Sequence, residues 1–230
     1  MFGTPCQIAG LKRLIKQKKI NNTFYYIDIF CHGVPSYNVF NKYLKEKFKN
    51  EKINDIEFRN KKNGWHNYTM KVITNKKMYY KKSEQSDFYK AFFDNALLNE
   101  SCADCTFRNY KTVSDIRLGD FWGSKFKDNN DGMSAVIINS NNGQYIFNTI
   151  IDNIELQEIN DIQSCLKYQN NKQYNKNLMR YSKNVLNNNK LSKTIKKYRR
   201  KMSKKYLVKE KMKEILSYFP SSIKNKLRKI

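Results

Sequence analysis

Two cysteines three positions apart, Cys102 and Cys105, open a stretch that closes on Gly119-Asp120-Phe121-Trp122-Gly123. A Cys-x-x-Cys pair can bind one metal centre without long-range help, or carry out dithiol redox chemistry. Two further cysteines, Cys6 and Cys31, each sit in a turn-like sequence far upstream. Four thiolates together suit either a zinc ion or an iron-sulfur cluster. Zinc sites usually show two close pairs, whereas here one pair accompanies two separated singles, which weighs against a zinc ribbon. Unconnected core cysteines are the bland alternative. Cys165, in an apolar helical context, is the spare.

Other residues compete less well for chemistry. His32 and His66 could act as ligands or acid-base groups, although a lone His beside a turn is more often a structural donor. Asp120 could act chemically, but an Asp in a Gly-Asp turn usually satisfies backbone amides. Trp65 and Trp122 each stand beside a glycine and could stack on a planar cofactor; packing at a sheet edge is the commoner fate. Gly3-Thr4 ahead of a helix is a weak phosphate-binding signal, and no Gly-x-Gly-x-x-Gly or phosphate-loop motif is present.

The elements that must position these residues follow an α/β grammar. Thr4 suits an N-cap and Pro5 the first helical position, with Ile8, Leu11, Leu14 and Ile15 on one apolar face. Cys6 then falls in the first turn, where the positive helix end favours negative charge. Phe24 to Phe30 reads as a buried strand broken only by Asp28, and Cys31-His32-Gly33-Val34-Pro35-Ser36 leads from it into a second helix. Sites in open α/β sheets lie at such carboxyl ends of strands. Residues 53–59, 66–73 and 78–80 predict an antiparallel section, and a helix through Phe88 to Leu97 delivers the chain to Cys102. A buried strand over 133–139, a helix over 143–153 and a strand over 154–159 complete the expected core, which closes near Tyr168. Only Met1 and Phe2 precede the first loop, too few for a strand, so the expectation is an N-terminally truncated chain.

The chain has 230 residues and a net charge of +25, unevenly spread. Residues 190–230 hold sixteen Lys and Arg against two Glu, so +14 of it lies there. With 40% hydrophobic and 14% aromatic residues the chain predicts a folded protein. No apolar run is long enough to span a bilayer and no signal peptide follows Met1, so the default compartment is the cytoplasm, where thiols stay reduced. From Leu191 to Phe219 apolar residues recur at helical spacing, predicting one long basic amphipathic helix ended by Pro220 and peripheral to the core.

Taken together, Gly3-Thr4-Pro5-Cys6-Gln7-Ile8-Ala9-Gly10-Leu11, Cys31-His32-Gly33-Val34-Pro35-Ser36, Phe58-Arg59 with Gly64-Trp65, Ser101-Cys102-x-x-Cys105, and Asp115-Ile116 through Gly119-Asp120-Phe121-Trp122-Gly123 resemble the C-terminal domain of the coenzyme F420 hydrogenase/dehydrogenase beta-subunit family. The resemblance covers about residues 2–160. It implies an α/β fold, a mixed sheet with helices on both faces, with a domain over 1–168 and a basic helical tail over 169–230. It further implies an iron-sulfur flavoprotein: a 4Fe-4S cluster on Cys6, Cys31, Cys102 and Cys105, and FAD near Gly3, Thr4, Gln7, His32, Gly119, Asp120 and Trp122. Members outside methanogens often resemble proteins associated with surface-polysaccharide synthesis. The chain lacks the ferredoxin-like segment such members carry, so the expected partner is a redox protein or a separate ferredoxin-like piece. FAD binding by the chain alone is expected to be poor. A zinc-stabilised binding protein, its basic tail on anionic lipid or nucleic acid, is the alternative. Peripheral contact with the inner face of the membrane through the tail ranks above nucleic acid, for which no base-reading motif is present.

Overall fold

A computed structural model describes residues 1–67, 69–107, 113–122, 125–126, 129–159 and 174–219. Two compact units emerge: Met1–His32 with Cys105–Lys172, and Gly33–Asp104 with Gln173–Ile230. The chain therefore divides differently from the expected 1–168 body and 169–230 tail.

In the first unit, β1 (Phe2–Gly3), β2 (Ile27–Ile29), β6 (Ile116–Asp120) and β7 (Ser134–Ile138) form one sheet in the order β1-β2-β6-β7. The first three strands run parallel and β7 is antiparallel to β6, so the sheet is mixed. The two residues that look too few for a strand do pair: Phe2 stands opposite Ile27 and Gly3 opposite Asp28. The Ile27 N–H donates to the Met1 carbonyl at 2.8 Å, which extends that ladder by one more bond. Helix α1 (Pro5–Gln17) follows β1, and α4 (Asn141–Asn148) follows β7. The Ser140 hydroxyl starts α4 by accepting from the Gly143 N–H at 3.1 Å and itself donates to Asp115 Oδ1 at 2.6 Å. The other Asp115 oxygen accepts the Tyr26 N–H at 2.7 Å, so one carboxylate secures both the approach to β2 and the cap of α4. Residues 155–159 are not a strand, and Ile154 and Leu156 lie exposed. Alternating apolar residues make a strand only where a sheet edge accepts them.

The second unit is built on an antiparallel sheet, β3 (Ile53–Asn60), β4 (Thr69–Thr74) and β5 (Met78–Lys82), as the alternation predicts. Helices α2 (Tyr37–Lys47) and α3 (Asp87–Phe93) accompany it. The C-terminal region supplies α5 (Lys176–Asn187) and then, over the stretch expected to be one long helix, two: α6 (Leu191–Arg199) and α7 (Lys204–Leu216). Nor are they all peripheral. Leu186, Leu191, Ile195 and Tyr198 are buried in the same cluster as Val39, Tyr43, Met70, Val72, Phe88 and Ala91. Each large side chain so buried contributes roughly 1.5–3 kcal/mol, which is why this stretch stays on the body despite its charge. Lys42 reinforces the join: its ammonium donates to the carbonyls of Leu186, Asn187 and Asn189 at the end of α5, where cations complement the helix dipole. Pro220 lies outside the described residues.

The hub of this packing is Asp94, at the end of α3. Tyr198 Oη and Arg199 Nε both donate to its Oδ2 at 2.7 Å; Arg199 Nη2 donates to Oδ1 at 2.9 Å and Tyr206 Oη at 2.8 Å. Burial first, and then the Asp94 carboxylate, push the phenols of Tyr198 and Tyr206 well above the ordinary value of 10.0. A raised folded-state pKa means that the contribution is complete below the unfolded value and is lost as pH rises through the folded one. Tyr206→Phe should therefore cost about 1 kcal/mol near pH 8, and the deficit against wild type should shrink above about pH 10, as urea unfolding at pH 8 and 11 will show.

Candidate functional site: the ends of the parallel strands

The four cysteines stand on turns or helix starts, as expected. Cys6 is the second residue of α1, Cys31 follows β2 by two residues, Cys102 ends a short 3-10 turn (Glu100–Cys102), and Cys105 follows three residues later. Cys6 is exposed and the other three are half-buried; none is joined in a disulfide. Cys165 lies outside the described residues. Cys6, Cys31 and Cys105 belong to the first unit and Cys102 to the second.

Gly33 explains how the turn after Cys31 is held. Its φ is +138°, a conformation that side chains rarely adopt. A Cβ there would also meet Leu98 Cδ1 at 2.7 Å and Cys102 Cβ at 3.6 Å. Two backbone links strap the same segments together: the Asn99 N–H donates to the Val34 carbonyl at 2.8 Å, and Pro35 bridges to Leu98. The backbone of Gly33 thus lies in packing contact with Cys102. In donor type and chain position the thiols fit an iron-sulfur centre. As placed, however, no three or more His, Cys, Asp or Glu among the described residues gather into a set that could hold a metal ion.

The residues expected near a flavin are occupied with one another. The Thr4 N–H donates to Gln7 Oε1 at 2.9 Å and the Thr4 hydroxyl donates to the same oxygen at 3.0 Å, with Cys6 Sγ 3.3 Å from that hydroxyl. Gln7 Oε1 also fills the space where a Gly3 Cβ would stand, at 3.2 Å. This reciprocal arrangement caps α1 and orients Cys6. Gly119 and Asp120 are the last residues of β6, paired with Ala135 and Ser134, so they lie within a strand and not a turn. Gly119 is needed because the Phe30 ring fills the space beside it; a Cβ would meet Phe30 Cδ2 at 2.5 Å. Trp122 follows the strand end half-buried, whereas His32, after β2, is exposed. Gly123 lies outside the described residues. Trp65 is 3% exposed with its ring 4.5 Å from that of His66, a packing role in the second unit.

Sequence reasoning missed the strongest interaction of this unit. Asp28 on β2 and Arg117 on β6 stand opposite each other in register. Arg117 Nε donates to Asp28 Oδ1 and Nη2 to Oδ2, both at 2.7 Å, and their side chains are 1% and 0% exposed respectively. The guanidinium also lies 5.6 Å from the centre of the Phe30 ring. The signal was available: one acid in one apolar strand and one base in another, each without a polar neighbour that would bring it to water.

What these strands define is an α/β protein built on a mixed sheet. Residues 1–162 match the family model for the C terminus of the beta subunit in coenzyme F420 hydrogenase/dehydrogenase. The chain belongs to that family. Among solved structures it is similar to a chain of the F420-reducing NiFe hydrogenase complex from Methanosarcina barkeri, solved with xenon derivatization, at 18% identity and a TM-score of 0.46. That match covers 85% of this chain and 60% of the other, so this chain spans less than two thirds of its neighbour. No curated protein matches.

Breaking the buried pair from one side leaves a charge with no partner, at a cost of about 3–5 kcal/mol. Asp28→Asn should therefore lower the urea midpoint sharply. Asp28→Leu combined with Arg117→Met should recover most of the loss in the same measurement, because it removes both charges together.

Proposed function

We propose that this chain is an iron-sulfur flavoprotein oxidoreductase, or the electron-transfer subunit of one, holding a 4Fe-4S cluster on Cys6, Cys31, Cys102 and Cys105 and FAD close to the start of α1. The observation that supports this most is the coincidence of the family match over 1–162 with four thiols placed at strand ends, turns and a helix start. FAD exchanges electrons in pairs as hydride, and an iron-sulfur cluster passes them singly.

The chain's own part is positional. The Thr4 and Gln7 arrangement points the first turn of α1, and Cys6 with it, beyond the end of β1. The Gly33 strap holds the turn following Cys31 against the turn carrying Cys102. The reading places the protein in the cytoplasm, with a separate redox protein or ferredoxin-like polypeptide as its electron partner and surface-polysaccharide synthesis as its setting.

Anaerobic reconstitution of the full chain with iron, sulfide and FAD tests the proposal. A brown protein whose broad visible absorption bleaches with dithionite is the expected result. Cys102→Ser should abolish that absorption, whereas Cys165→Ser should leave it intact. A colourless protein, or equal effects of the two substitutions, would contradict the assignment of these four thiols.

A further inference from the structure

The outward face of α7 carries an arrangement that packing does not account for. At about 100° per residue, Val208, Met212 and Ile215 fall in one stripe roughly 60° wide, and they are 59%, 58% and 49% exposed; Phe219, just past the end of the helix, is 43% exposed. Lys204 and Lys211 border the stripe on one side, and Lys205 and Lys209 on the other; all four are exposed. Both acids of the helix point elsewhere. Glu214 is paired with Lys90 at 2.8 Å on the docked side, and Glu210 with Lys213 at 2.7 Å. Tyr206 on Asp94, together with Lys82 and Gln85 on Ser217, fixes the opposite face to the body of the second unit. The helix is thus held rigidly with its aliphatic stripe facing out and without a carboxylate beside it.

We propose that this face of α7 is a docking surface for an anionic lipid bilayer, on which the helix lies flat. The proposal uses residues of the second unit alone and does not depend on the cofactors. Charge and shape together select the occupant. An aliphatic stripe of this width sinks to the boundary between headgroups and acyl chains, while flanking lysines extend their stems outward and keep their ammonium groups among the phosphates. Nucleic acid would satisfy the lysines but has no use for Val208, Met212 and Ile215. The exposed Lys193 and Lys196 of α6 and the exposed Arg200 that follows it add attraction to a negative surface. No described helix is long and apolar enough to cross a membrane, which is consistent with a surface-lying role.

Co-sedimentation of the full chain with vesicles of pure phosphatidylcholine, or of phosphatidylcholine with a third phosphatidylglycerol, tests this. The protein should pellet with the anionic vesicles only, and less as salt is raised. Val208→Ser with Met212→Ser and Ile215→Ser should weaken partitioning by on the order of tenfold or more. All three side chains face solvent, so the circular dichroism spectrum and urea midpoint should stay unchanged. As a second reading, Phe219→Trp should show indole fluorescence quenched by brominated acyl chains in anionic vesicles. Failure to pellet with anionic vesicles, unchanged partitioning of the triple variant, or an unquenched indole on bound protein would each overturn the proposal. The last two would point to attraction through lysines alone, as in binding to nucleic acid or any polyanion.

Discussion

The first unit depends on a single bidentate ion pair buried between two parallel strands. Asp28 and Arg117 face one another at 2.7 Å on both arms with almost no exposed surface, so neither charge has water to fall back on. Slipping β2 against β6 by one residue would send the two side chains to opposite faces and strand both charges. The pair thus sets register, and register sets where each strand stops. Once Ile29 stands opposite Leu118, Phe30 lies over Gly119, Cys31 leaves the sheet just beyond β2, and Asp120 ends β6. A well-packed apolar pair could equal it in stability. What the charges add is intolerance of the neighbouring registers.

The second unit solves a different problem, which is how to keep a strongly basic C-terminal stretch on a folded body. Asp94 gathers two phenols and a guanidinium from α6 and α7, and Leu186, Leu191, Ile195 and Tyr198 fill the core beside α2 and β4. Most of the described positive charges that remain in this stretch are exposed. Asn95, next to this hub, takes a positive φ of 60°, and its side-chain oxygen is the one buried side-chain nitrogen or oxygen without a hydrogen-bond partner among the described residues. Burying a polar group in that way is the cost of turning the chain sharply out of α3.

Local pattern made much of the fold legible. Strict alternation over 66–73 and the Thr4-Pro5 start of α1 translate into β4 (Thr69–Thr74) and the first helix, because period and capping are short-range physics. Glycine punctuation located the Gly33 turn for the same reason. Asp28, visible in the sequence only as an interruption, was opaque because its meaning lies 89 residues away in Arg117. The C-terminal helices misled in the same manner. Their spacing and charge describe a free amphipathic helix, and only contacts reaching back to Asp94 and Val39 show that one face is core. The Gly119-Asp120 segment reads as a turn by composition, yet its glycine serves the Phe30 ring inside a strand.

Native mass spectrometry of the full chain, purified and reconstituted without oxygen, addresses the central claim most directly. The account predicts one dominant species per chain heavier than the polypeptide by four iron and four sulfide, replaced by bare polypeptide when Cys6 or Cys31 is changed to Ser. A species carrying a single zinc ion, or a chain that takes up no iron and sulfide under those conditions, would contradict it.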